Sequence, residues 1–309
     1  MSFALVKFMP SETKVPFIKA RMVAMGLSVL FLLASLFEFS TVGINFGIDF
    51  RGGIQTEIRT EGPADVEAIR TVVNGLDLGG ARIQQTGDDR EVLVALPLQE
   101  GEGLEGEELQ QTARLALEAA LTEAFSGIEI RGTTVIGGSV SGELVVKGAV
   151  AIVVALLLML IYIWFRFEWQ YSVGAIAALT HDVIVTIGLF SFTQMEFNLS
   201  TVAAILTIVG YSMNDTVVVY DRIRENLRKY KKEDLASVLN RSINDTLSRT
   251  ILTSMTTLVA LVALYLIGSG DLKGFAFAMI WGVLIGTYSS VFVAAPLLLF
   301  TKVKRESTD

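Results

Sequence analysis

The sequence predicts an α-helical membrane protein with six spans and one α+β domain inserted after the first span. Three observations carry this. The chain is 52% apolar with a mean hydropathy of +0.55. Its apolar residues gather into six runs, each near the ~20 residues that cross a hydrocarbon core. Its basic residues fall on alternate sides of those runs, as a six-span topology with both termini in the cytoplasm requires.

The runs are Ala20–Phe39, Leu144–Phe165, Tyr171–Thr193, Ser200–Tyr220, Arg249–Ile267 and Gly274–Phe300. The first is longer than the apolar stretch of a signal peptide and ends at Glu38-Phe39-Ser40-Thr41, without a clear small-residue cleavage site, so it reads as a retained span. Lys7, Lys14, Lys19 and Arg21 precede it. Arg166 follows the second run, seven bases from Arg222 to Arg241 follow the fourth, and Lys302, Lys304 and Arg305 form the tail. The alternate connections are poor in base: 194–199 has none, and 268–273 has Lys273 alone. The expected organisation is a cytoplasmic segment 1–19, a first span 20–39, an extracytoplasmic domain 40–143, a five-span bundle 144–300 with a cytoplasmic loop 221–248, and a tail 301–309. Within that loop Leu235, Val238, Leu239 and Ile243 share one helical face, which suits a helix resting on the membrane surface or docking a partner.

The domain after the first span carries seven bases against many more acids. An acidic lobe binds neither nucleic acid nor an anionic membrane surface. Its pattern is strand, helix, strand, strand, helix, strand. Ile54–Thr60 alternates, and Ala64–Leu76 places Val66, Ile69, Val72, Val73 and Leu76 at helical spacing. Ala81–Thr86 and Glu91–Leu96 flank a Gly87-Asp88-Asp89-Arg90 turn. Glu107–Phe125 is amphipathic, and Ile128–Ile136 returns as a strand. This is the order of a ferredoxin-like domain, a fold that identifies no function. Residues 101–106, rich in Gly and Glu, read as an exposed connection.

With no cysteine and one histidine, disulfides, thiolate sites and multi-His metal centres are excluded. No phosphate-binding loop with its lysine is present, so no ATP motor is expected, and Gly210-Tyr211-Ser212 lacks the second glycine of a nucleophile elbow. No cofactor is called for, and no enzymatic activity.

The informative residues are polar ones inside apolar runs, because a charge at mid-bilayer costs about 2.5–3.5 kcal/mol on insertion scales. The fourth span carries Asn214 and Asp215, the third carries His181 and Asp182, and the fifth opens on Arg249 and continues with Thr250, Thr253, Ser254, Thr256 and Thr257. If Arg249 moves toward and away from Asp215, the acid releases and binds a proton in turn. The alternative is a static Asp215 that ties helices together through Thr and Ser hydroxyls. His181 and Asp182 are adjacent and should point about 100° apart. Gly282 and Gly286 form a GxxxG that permits close helix contact.

Three segments carry a family resemblance. GIDFRGG at 47–53 resembles the signature that opens the outer domain of the SecD/SecF family. VGYSMNDTVVVYDRIREN at 209–226 and RSINDTLSRTILTS at 241–254 resemble its SecF branch. Arg51 is closer to SecD usage, while the 211–216 run and the short outer segment are those of the SecF branch. This family belongs to the RND superfamily of proton-driven transporters. The resemblance implies half of an RND-type transporter, one that pairs with SecD beside the SecYEG channel and uses the proton gradient to help draw unfolded preproteins across the inner membrane of a bacterium. By the same resemblance Asp215 is the essential membrane acid, Arg249 its basic partner, and Asp49, Gly52 and Gly53 shape the junction between membrane and outer domain. Half of such a site would turn polar stripes to membrane lipid unless a six-span partner covered them. An independent small-molecule exporter and a passive scaffold for the channel are the other readings.

Overall fold

A computed structural model describes residues 13–86, 88–99, 106–268, 270–301 and 303. Gly87 of the 87–90 turn, residues 101–105 of the Gly/Glu-rich connection, the basic residues Lys7, Lys302, Lys304 and Arg305, and most of the two terminal segments lie outside the described residues.

Six helices are long and apolar enough to cross a membrane. They are α1 (Arg21–Thr41, preceded by a 3₁₀ turn Phe17–Ala20), α5 (Gly138–Arg166), α6 (Trp169–Thr193), α7 (Leu199–Lys229), α8 (Leu235–Ile267), and a last span made of α9 (Gly270–Ser289), a π-helical turn Ser290–Ala294 and α10 (Ala295–Thr301). The π turn lies just before Pro296, which has no N–H to donate to the carbonyl four residues back, and a wider turn absorbs the mismatch.

The spans form two classes. α6, α7 and the last span are at least half buried, whereas α1, α5 and α8 turn most of their surface outward. The outward faces are largely apolar, for instance Leu30, Leu33 and Phe37 on α1 and Met255, Val259 and Leu266 on α8. A helix apolar on all sides with a buried neighbour on only one suits lipid contact. Small residues decide which helices approach most closely. A Cβ at Gly282 would lie 2.2 Å from Ile208 of α7, and one at Gly286 would lie 3.0 Å from Ser212. The GxxxG pair therefore seats α9 against α7.

The inserted domain contains β1 (Gly53–Arg59), α3 (Val66–Asn74), β2 (Arg82–Gln85), β3 (Glu91–Leu96), α4 (Gly106–Ala124) and β4 (Glu129–Ile136), the element order read from the sequence. The sheet is antiparallel throughout, in the order β2-β3-β1-β4. Asp65 caps α3 by accepting from the amides of Glu67 and Ala68 at 3.1 and 3.0 Å. Alternation on β1 sends Ile54 and Ile58 to the helix-covered face, where they meet Ile69, Val73, Leu117 and Leu121.

One expectation, that of a separate surface helix, changes. The segment 221–248 is mostly helix: α7 continues to Lys229, α8 begins at Leu235, and a short turn joins them. Val238, Leu239 and Ile243 are the first turns of α8 and are buried in the main core. They pack on their own bundle because Asp234 caps the helix directly, its carboxylate accepting from Ser237 N at 3.0 Å. No separate surface helix forms there.

Candidate functional site

Midway along the bundle, α6, α7, α8 and the last span exchange side-chain hydrogen bonds. Asp182 of α6 is 1% exposed. Its Oδ2 accepts from Ser212 of α7 at 2.6 Å and from Ser289 of α9 at 2.7 Å. Its Oδ1 lies 3.0 Å from His181 Nδ1. Nearly one turn further along α7, Asp215 Oδ1 accepts from Thr250 of α8 at 2.6 Å. Its Oδ2 is buried and has no hydrogen-bond partner among the described residues. Thr216 and Ser290 pair at 2.9 Å, and Ser254 and Thr287 at 2.7 Å. Tyr220 donates to the carbonyl of Ala294 in the π turn at 3.1 Å.

The two acids are bound differently. Asp182 is held from three helices and answered on both oxygens. Asp215 is held at one oxygen by one hydroxyl; its other, buried oxygen closes no hydrogen bond, although the Ser290 hydroxyl and the charge of Arg249 act on the carboxyl group from farther off. An unpaired lone pair in a medium of low dielectric favours a proton or a cation far more than it would in water. Asp215 is the acid with something left to bind.

The expected separation of His181 from Asp182 does not hold. Their Cβ vectors diverge by about 100°, but the imidazole curls back over the helix and meets the carboxylate. His181 Nε2 is buried and has no hydrogen-bond partner among the described residues. Its ring lies 6.2 Å from that of Tyr288, whose hydroxyl donates to Ala24 O of α1 at 2.6 Å. Arg249 is exposed and forms no ion pair with Asp215 or any other described residue; its neighbour Thr250 makes the contact instead. Asn214 is likewise exposed and makes no side-chain hydrogen bond among the described residues. Sequence reasoning placed Ser212 and Thr216 within the polar 210–216 run of the fourth span and did not single out Ser289 or Ser290. The available signal was hydroxyl residues isolated in otherwise apolar spans.

Asp182→Ala is expected to strand the Ser212 hydroxyl and the imidazole and to leave Ser289 only its bond to Gly286 O, lowering stability by about 2–3 kcal/mol. Thermal unfolding of the purified protein measures this, and an unchanged midpoint would show that the three-helix tie contributes nothing.

A second constellation lies where the sheet domain meets the bundle. Asp49, on the short helix α2 (Ile48–Arg51), accepts from Leu199 N at the start of α7 at 2.7 Å, adding negative charge to a helix N-terminus. Asn198 closes a capping box with Thr201 and donates to Asp271 of α9 at 2.5 Å. Between these elements Phe46 meets Phe50 and Phe197 edge to face, and the Phe50 and Phe197 rings are tilted 39° to each other. Glu196 packs over Gly47; burial, then the charges of Asp271 and Asp49, push its carboxyl above the usual glutamate range against the pull of Arg82. Gly52 and Gly53 both have positive φ, at 73° and 128°. They turn the chain out of α2 into β1, and a Cβ at Gly53 would stand 2.2 Å from Leu96 O. All three junction residues expected from the sequence therefore meet at this corner.

The family model for the C-terminal region of the protein-export membrane proteins SecD and SecF matches residues 116–304, and the SecD/SecF GG motif matches residues 39–64. The protein translocase subunit SecF of Cereibacter sphaeroides is 45% identical over 314 residues, which cover 99% of this chain and 94% of that one. The chain belongs to the SecF family. In Brucella abortus a SecDF protein is 41% identical across 98% of this chain, which covers 39% of that longer relative. The crystal structure of SecDF from Thermus, described as a translocon-associated membrane protein, superimposes with a TM-score of 0.84 at 35% identity over 96% of this chain and 40% of that one. The SecF family thus accounts for the six spans and the inserted sheet domain together. Its GG motif is the Gly52-Gly53 corner.

Proposed function

We propose that this chain is the SecF subunit of the Sec protein-export machinery in a bacterial inner membrane, working with SecD and SecYEG to couple proton flow to the late translocation of unfolded preproteins. Asp215 carries the reading: a carboxyl group midway through a half-buried span, with one oxygen anchored and the other unanswered. It takes up a proton when one water path reaches it and releases the proton when Arg249 approaches and a second path opens. Arg249 lies one residue before Thr250 on α8, about 100° round the helix, so a rotation of α8 together with a swing of the long Arg249 side chain exchanges a hydroxyl for a guanidinium at the acid. Each proton moved down the gradient supplies about 2.3 kcal/mol per 100 mV, plus any pH term. Asp182 and His181 hold α6 to α7 and α9 while this happens. Protons are the coupling ion, and no cofactor takes part.

Several observations support the partnership. Relatives exist in which SecD and SecF names are joined in a single chain about two and a half times as long. Asn214 and Arg249 are exposed at mid-bundle and at the end of an apolar stretch, where lipid is a poor neighbour and a second six-span half a good one. With the termini in the cytoplasm, the βαββαβ domain, of ferredoxin-like order, lies outside, where an emerging chain is met. An RND-type half of this kind is a transport subunit rather than an enzyme.

The test is co-purification with a six-span SecD partner, followed by preprotein translocation into vesicles with and without a proton gradient. The expected result is a contribution from this chain that disappears when the gradient is collapsed. A contribution that survives collapse would point to a passive scaffold, and altered drug sensitivity with normal secretion would point to a small-molecule exporter.

A further inference from the structure

The end of the bundle farthest from the sheet domain contains a cavity of about 800 Å³ between the segment before α1 and the first turns of α8. Its wall is firmly built. Asn244 Oδ1 accepts from Val15 N at 2.8 Å and Asn240 Oδ1 from Ile18 N at 3.2 Å. Both amide groups donate to Val15 O, at 3.1 Å from Asn240 and 2.9 Å from Asn244. Two asparagines one turn apart on α8 thus pin the segment that carries Lys14, Lys19 and Arg21 to the rim.

The charges around this cavity do not balance. Arg222 is answered by Asp245 at 2.8 Å and by Glu225 at 2.7 Å, and Arg241 by Glu233 at 2.8 Å. Lys14, Lys19 and Arg21 line the same space and form no ion pair with any described residue. Arg21 is the first residue of α1, whose 21 residues rise about 31 Å, the thickness of a hydrocarbon core. That places Arg21 at headgroup level. The next two residues, Met22 and Val23, are 67% and 79% exposed, apolar surface for an acyl chain directly beneath the cations.

We propose that this cavity binds the phosphate of an anionic phospholipid headgroup, with Lys14, Lys19 and Arg21 as its cations. Basic residues at a membrane surface each add to anionic lipid binding, and here three converge on one preformed space. A free phosphate would satisfy the same cations, but would make no use of the apolar rim below them. The inference is independent of proton coupling at Asp215.

Native mass spectrometry of the full chain in detergent, titrated with phosphatidylglycerol, phosphatidylcholine or inorganic phosphate, tests it. Phosphatidylglycerol should be retained and phosphatidylcholine not, and Lys14→Gln/Lys19→Gln/Arg21→Gln should weaken retention about ten-fold or more. Arg21 also donates to Ile18 O at 2.9 Å. Should the triple variant unfold, Lys14→Glu/Lys19→Glu, confined to exposed side chains, replaces it with the same expected loss. Equal retention by wild type and variant would overturn the proposal. So would an equal loss in Arg166→Gln/Lys229→Gln/Lys232→Gln, which removes the same charge elsewhere at this end. Displacement of the lipid by an equal concentration of inorganic phosphate would assign the site to a soluble anion and overturn the lipid assignment.

Discussion

Asp215→Asn is expected to abolish the gradient-dependent part of translocation while leaving the protein folded and inserted. The asparagine carbonyl oxygen can still accept from Thr250, at 2.6 Å in the wild type, so the tie between α7 and α8 persists. What is lost is the ability to change charge. A neutral amide neither binds nor releases a proton, and the roughly 2.3 kcal/mol per 100 mV available to each moving charge no longer acts on this helix. Translocation into energised vesicles should fall to the level seen with the gradient collapsed, with the thermal midpoint within a few degrees of wild type. Full activity in this variant would remove Asp215 from the mechanism. Loss of activity together with loss of folding would instead favour a static hydrogen-bonding role. Asp182 separates from Asp215 on the same comparison, because its partners come from three helices and its removal acts first on stability.

Gly53→Ala should have a large structural effect for one added methyl group. The new Cβ would stand 2.2 Å from Leu96 O, a backbone atom of β3 that is paired in the sheet and cannot step aside. The position also has φ of 128°, which an L side chain adopts only under strain. Together these should cost about 3 kcal/mol or more, enough to uncouple β1 from β3 at the corner where the domain joins the bundle. Gly52→Ala, at φ 73° with its nearest contact at 3.1 Å, should cost about a third as much. Hydrogen exchange of the β1 and β3 amides distinguishes the two: the Gly53 variant should lose protection across the sheet, the Gly52 variant only near the junction. Wild-type protection in Gly53→Ala would mean that the corner rearranges freely, and the conformational account of the GG motif would fall.

Much of the bundle was legible because a span is a local property. Twenty apolar residues announce themselves without reference to anything distant, and the βαββαβ order likewise follows from short-range alternation and helical spacing. The errors occurred where a local signal ended. The helix read at Leu235–Ile243 within the 221–248 connection was expected on the membrane surface, yet it is the start of α8, and its apolar face packs into its own bundle. His181 and Asp182 were separated by helix geometry at Cβ, although their interaction occurs at the far ends of the side chains.

The composition and order of residues alone determined that this chain crosses a membrane six times, that an acidic α+β lobe follows the first span, and that Asp182 and Asp215 stand where charge is costly. Only the tertiary structure decided what each acid touches. Which hydroxyl meets which carboxylate depends on how α6, α7, α8 and α9 are rotated and how closely they approach, and that is set by glycines such as Gly282 and Gly286 meeting side chains seventy-four residues earlier in the chain. A periodic pattern marks one helix's polar face; it carries no information on which neighbour turns toward it. For that reason Asp182, answered on both oxygens, and Asp215, answered on one, look alike in the sequence and differ in the fold.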